Sequence, residues 1–155
     1  MNFAERYGFS RIHLADSQFL GDEEALKSTA QGIELISKFS GGTIVDTLYA
    51  NNGVQRNATE KELEKTRALI AKRIGQLIRN MFEAGYEGRL MIIGGDTLLE
   101  FTNAVGCFEL YPVCEIDPGT VVFKLEYQGK EHEIITKSGG FGSEELLVKI
   151  VGGIT

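Results

Sequence analysis

Apolar positions along this chain follow two rhythms: a spacing of three or four residues, and short unbroken runs. Residues 10–14 read as a strand. Asp22 is placed to cap a helix running to about Lys38, in which Leu26, Ala30, Ile33 and Ser37 share one face. Gly41 and Gly42 end it. The β-branched run over residues 43–49 predicts a second strand, and Asn51-Asn52-Gly53 a turn. The clearest helix opens at Thr59-Glu60-Lys61-Glu62, a capping box in which a hydroxyl and a carboxylate satisfy end amides. Leu63, Ile70, Ile74, Leu77, Ile78, Met81 and Phe82 form its apolar stripe. Lys61, Glu64, Lys65, Lys72 and Arg79 lie opposite and predict a solvated face. Gly85 and Gly88 close it.

Leu90-Met91-Ile92-Ile93 is apolar at every position, the pattern of a strand covered on both faces. It runs into Gly94-Gly95-Asp96-Thr97 and a helix over about residues 98–105. Three more strands, 109–116, 121–127 and 131–136, are separated by Asp117-Pro118-Gly119 and Gln128-Gly129, the second of which predicts a hairpin. A glycine-rich stretch, Lys137-Ser138-Gly139-Gly140-Phe141-Gly142, leads into a last short helix over about residues 143–150, with Ser143 as its cap. Strands alternating with helices predict an α/β fold: a largely parallel sheet flanked by helices, with an added antiparallel hairpin near the C-terminus.

Composition narrows the function. The chain has 155 residues, the size of one ordinary domain, and a formal net charge of −6. That charge argues against broad nucleic-acid binding, which needs a surplus of Lys and Arg to displace counterions. No apolar run is long enough to span a bilayer and no secretory signal opens the chain, so the expected location is cytoplasmic. Cys107 and Cys114 are too few and wrongly spaced for a zinc site, and read as reduced core residues. His13 and His132 sit in strand patterns and are not singled out as bases.

Two segments place glycines and small hydroxyl residues between a strand and a helix start, where the backbone can approach a phosphate and helix amides point at it. In Gly94-Gly95-Asp96-Thr97, Asp96 has two open readings: a helix cap, or a carboxylate that holds magnesium together with phosphate oxygens. In the glycine-rich stretch of residues 137–142, Lys137 is placed to stabilise charge on a phosphoryl group. Neither segment is a Walker or dinucleotide fingerprint. Glu115 and Asp117 flank a turn ending in Gly119.

In this order and spacing, the segments 94–97, 115–119 and 137–142 resemble the C-terminal domain of the four-carbon acid sugar kinases, which phosphorylate erythronate, threonate or 3-oxo-tetronate with ATP. The resemblance is strongest over residues 89–149. It implies that Gly94, Gly95, Asp96, Thr97, Lys137, Ser138, Gly139, Gly140 and Gly142 hold the nucleotide, with Asp96 toward Mg2+. Glu115, Asp117 and Gly119 match a motif at the cleft edge. It also implies a partner, the substrate domain that family members carry upstream, and a homodimer. That domain and a Gly-Ser-rich first loop have no counterpart in this sequence. The chain therefore reads as a C-terminal fragment, a split-gene product or a degraded relative, without turnover alone and without the residues that choose the acid. A non-catalytic nucleotide- or phosphometabolite-binding module is the alternative; a phosphosugar aldolase or isomerase ranks below both.

Overall fold

A computed structural model describes residues 8–15, 18, 20–47, 59–139 and 145–153. Their elements run β1 (Ser10–His13), α1 (Glu23–Ser37), β2 (Thr43–Asp46), α2 (Glu60–Glu83), β3 (Leu90–Ile93), α3 (Gly95–Val105), β4 (Tyr111–Asp117), β5 (Thr120–Tyr127), β6 (Lys130–Lys137) and α4 (Leu146–Gly153). This is the α/β class expected, with helices flanking sheets that contain both parallel and antiparallel strands. β1 and β2 pair in parallel. The other four form a sheet in the order β3-β6-β5-β4, parallel between β3 and β6 and antiparallel across the rest.

The helix starts follow the sequence signals. The Asp22 carboxylate accepts a hydrogen bond from Ala25 N at 2.8 Å. At α2, Thr59 Oγ1 accepts from Glu62 N, and Thr59 N and its hydroxyl both donate to Glu62 Oε2. Those last two bonds stabilise the charged carboxylate and hold Glu62 below its ordinary value. At the other end Gly85, with φ 95, lets Tyr86 N reach Met81 O and its own N–H reach Phe82 O. Those bonds satisfy two of the last carbonyls of α2 and turn the chain toward β3.

Packing divides into three cores. Leu26, Ala30 and Ile33 of α1 meet Leu77 and Met81 of α2 over Leu14, which follows β1. Ile78 and Phe82 of α2, with Phe101 of α3, cover Ile92, Leu125 and Ile134. On the opposite face of the same sheet, Leu146 and Ile150 of α4 cover Val122 and Ile135. The consecutive buried residues Ile134 and Ile135 point to opposite faces, which makes β6 an interior strand clothed on both sides. Helix α2 belongs to the first two cores, with Ile74 packed against each.

Several expectations change. Arg79 was expected on a solvated face, yet its guanidinium reaches Glu23 Oε1 at 2.9 Å and ties α2 to the start of α1. Cys114 is exposed and not a core residue: it lies on the edge strand β4, whose first five residues are all exposed; Cys107 is half-buried and packs against the core around Ile78, Phe82 and Phe101. Strand β2 ends at Asp46, short of the expected 49; residues 48–58, with the Asn51-Asn52-Gly53 turn, lie outside the described residues. Helix α4 begins at Leu146, and Ser143 lies outside them too. His13 Nδ1 sits 2.7 Å from Asp46 Oδ1, and His132 stacks on Phe82 with ring centroids 4.2 Å apart.

One helix glycine has a packing reason. A Cβ at Gly75 would lie 2.5 Å from Glu100 O and 2.7 Å from Phe101 N, so the backbones of α2 and α3 meet there without a side chain between them. Gly75→Ala is expected to destabilise the fold by about 1–3 kcal/mol, the range for overpacking a tight core, and to lower Tm in a thermal melt by about 2–4 °C per kcal/mol. An unchanged Tm would show that the crossing opens freely. A second prediction concerns pH. Burial, with Lys130 nearby, holds His132 below its ordinary 6.5. The folded protein favours the neutral ring, so the unfolded chain binds more protons and stability falls as pH drops from above 6.5 through the folded value. Tm measured between about pH 7.5 and 5.5 should fall less in His132→Phe, which keeps a ring on Phe82, than in wild type. Equal slopes would remove His132 as the source.

Candidate functional site

The three segments singled out from sequence are distant along the chain but meet at one end of the four-stranded sheet. Parallel pairing places Ile93, the last residue of β3, opposite Lys137, the last of β6. Gly94 N then donates to Lys137 O at 3.0 Å, so the first glycine loop leaves its strand hydrogen-bonded to the second. Antiparallel pairing sets Lys137 opposite Thr120, the first residue of β5. One step further out, Ser138 N donates to Gly119 O at 3.1 Å. The carboxyl ends of β3 and β6 thus lie side by side, bordered by the β4–β5 turn. Such strand ends are where ligands collect in α/β sheets.

The first loop is built around a backbone shape only glycine takes without strain. Gly94 has φ 105 and ψ 132 and is the cap residue of α3, with no side chain bonding the end amides. The helix begins at Gly95, three residues earlier than the apolar periodicity suggested. Asp96 is therefore not the cap: it stands exposed in the first turn, inside the helix. The first-turn amides of an α-helix have no intrahelical acceptor, and the positive end of the dipole lies there. Thr97 is half-buried in the same turn.

On the second loop, Lys137 is half-buried and its Nζ donates to Ser138 O at 3.0 Å, so the ammonium is held over its own loop. Ser138 and Gly139 are exposed; Gly140 and Gly142 lie outside the described residues. The border is a turn with Pro118 at its second position and Gly119 at its third. Gly119 has φ 72, the geometry of a type II turn. Glu115 Oε1 accepts from Gly119 N at 3.0 Å, and Asp117 is half-buried where β4 meets β5.

Thr120, at the start of β5, also belongs to this corner. It is fully buried, and its Oγ1 has no hydrogen-bond partner among the described residues. Its only signal was adjacency to the Pro-Gly turn. Among the described residues no group of three or more His, Cys, Asp or Glu could hold a metal. Magnesium fits this site only in the regime where one carboxylate, here Asp96, is joined by phosphate oxygens and waters. No described helix is long and apolar enough to cross a membrane.

Comparison with known proteins bears on the fold. Similar solved structures include a Haemophilus influenzae protein of the DUF1537 family, at 18% identity and a TM-score of 0.71 over 98% of this chain and 36% of that one. A DUF1537 domain of unknown function from Bordetella bronchiseptica, solved with bound citrate as a domain-swapped dimer, matches at 18% identity and a TM-score of 0.64 over 96% and 35%. A putative tRNA synthase from Salmonella typhimurium matches at 18% and 0.61, over 96% and 35%. At such identities the likeness establishes a shared fold, and this chain spans about a third of each of those proteins. No curated protein shows significant similarity to it. The family of nucleotide-binding C-terminal domains, however, matches residues 10–147, which takes in every element from β1 to the start of α4. The chain belongs to that family.

Proposed function

We propose that the loops at the carboxyl ends of β3 and β6 bind ATP with Mg2+, and that the chain is the nucleotide half of a kinase acting on a small sugar acid. The observation that carries this is the convergence of three glycine-bearing segments through the Gly94–Lys137 and Ser138–Gly119 hydrogen bonds. The amides at the start of α3 supply donors for phosphate oxygens, and Thr97 and Ser138 supply hydroxyls. Lys137 exchanges its bond to Ser138 O for a phosphate oxygen, placing a cation where charge develops on the transferring group. Asp96 would hold magnesium, which would supply positive charge beside the phosphates.

In the intact enzyme the γ-phosphoryl group passes from ATP to a hydroxyl of the acid, leaving ADP, and the hydroxyl proton goes to a base outside this cleft. The four-carbon acid sugars are the substrate class implied by the ordered motifs. This chain spans about a third of its structural neighbours, and the proposal assigns the acid site to a companion domain. The domain-swapped Bordetella relative supports a homodimer. A nucleotide-binding module without turnover would use the same cleft, and assay of the chain with the companion domain separates the two readings.

Calorimetry and thermal shift test the binding claim. ATP with magnesium at about 100 times its Kd is expected to add about 2.7 kcal/mol of stability. Lys137→Ala should weaken binding about tenfold or more through loss of one charge-assisted contact. No binding of ATP or ADP to folded wild-type protein would refute the proposal. Gly94→Ala should both weaken binding and cost about 1–3 kcal/mol of stability, because alanine is strained at that φ. A variant with wild-type Tm and affinity would show that the loop does not depend on the glycine.

A further inference from the structure

Glu115 is exposed on β4, three residues before the turn proline, and an exposed carboxylate there has no packing role. Its Oε1 nevertheless reaches back over the turn to accept from Gly119 N at 3.0 Å. The next peptide presents Gly119 O to Ser138 N at 3.1 Å. Thr120 and Lys137 are the terminal pair of the β5–β6 ladder. The Gly119–Ser138 bond therefore lies just beyond the last ladder pair and reaches directly into the loop that follows β6.

Between the two bonds stands a glycine with φ 72. Glycine has the widest backbone freedom of any residue, so nothing in its own sterics fixes the direction of its carbonyl. A carboxylate that pins the amide fixes the plane of the Pro118–Gly119 peptide; with Thr120 held in the β5–β6 ladder on the other side, the carbonyl between the two anchors keeps its direction toward Ser138. Pro118 has no N–H to offer in competition. A register shift between Glu115 and Asp117 breaks the regular pairing at this point and sets off the corner from the ladder.

We infer that Glu115 is a positioning residue for the loop carrying Lys137, Ser138 and Gly139, acting through Gly119. The inference rests on the nucleotide cleft proposed above and adds a residue that touches no ligand. The carboxylate's role is conformational. Without it the turn glycine swings, the Ser138 amide loses its acceptor, and Lys137 no longer faces the phosphates in one geometry. Glutamine can accept the same hydrogen bond through its amide oxygen; alanine cannot.

The test measures amide hydrogen exchange by NMR and ATP-Mg affinity by calorimetry in wild type, Glu115→Gln and Glu115→Ala. In Glu115→Ala, exchange at Gly119 and Ser138 is expected to speed up about tenfold and Kd to rise about fivefold to tenfold, with amides of α2 unchanged. Glu115→Gln should restore most of both. Unchanged exchange at Ser138 in the alanine variant would overturn the relay, as would a glutamine variant as impaired as alanine. Accelerated exchange in the alanine variant of a protein whose wild type binds no nucleotide would keep the relay and discard the nucleotide reading.

Discussion

The parallel pairing of β3 with β6 is the constraint on which the rest of this molecule depends. It brings together residues 44 positions apart, Ile93 and Lys137, and ends both strands at the same height. Parallel strands cannot be joined by a tight turn, so the chain between them must travel out and back. Here it does so as one helix and a hairpin, which deliver β6 between β3 and β5. Two glycine loops then emerge side by side because their strands stop together. A slip of one residue would reverse the faces of Ile134 and Ile135 and unpack two cores at once, so the hydrophobic pattern itself locks the loops in register.

Helix α2 transmits that order across the domain. Its 24 residues share a core with α1 and β1 at one part of its length and with α3 and the larger sheet at another. The two sheets make no strand pairing with each other among the described residues; they are related through this helix. Arg79 and Arg73 pin the entry to α1 against it, by way of Glu23 and the Gly21 carbonyl. The position of the α3 N-terminus follows from the sheet on one side and from α2 on the other.

Much of this was legible in the sequence, for identifiable reasons. The capping box at Thr59 and the cap at Asp22 are local, and local hydrogen bonds leave local signatures. The wholly apolar run of residues 90–93 announced a strand, but not its place: β3 lies at the sheet edge, where only Ile92 is buried and Ile93 is exposed. The α3 start was misjudged because Gly94 and Gly95 carry no apolar periodicity; the sheet, through the Gly94–Lys137 bond, determines where that helix begins. Arg79 was misread because its partner, Glu23, is 56 residues away, beyond any spacing rule. Cys114 was misassigned because β4 is an edge strand, and edge position is a property of the sheet and not of the segment. The site segments could be named from sequence, but their meeting could not: it depends on strand order. The burial of Thr120 beneath that meeting point was invisible for the same reason.

The bare crossing at Gly75 constrains how the sequence can change over time. Where two side chains conflict, a second substitution at the neighbour can restore the room. Here the neighbour is the peptide linking Glu100 and Phe101, which every amino acid possesses. No change of residue type at 100 or 101 removes those atoms, so a larger residue at 75 has no suppressor of that kind. The position is an evolutionary ratchet, open to reversal but not to local compensation.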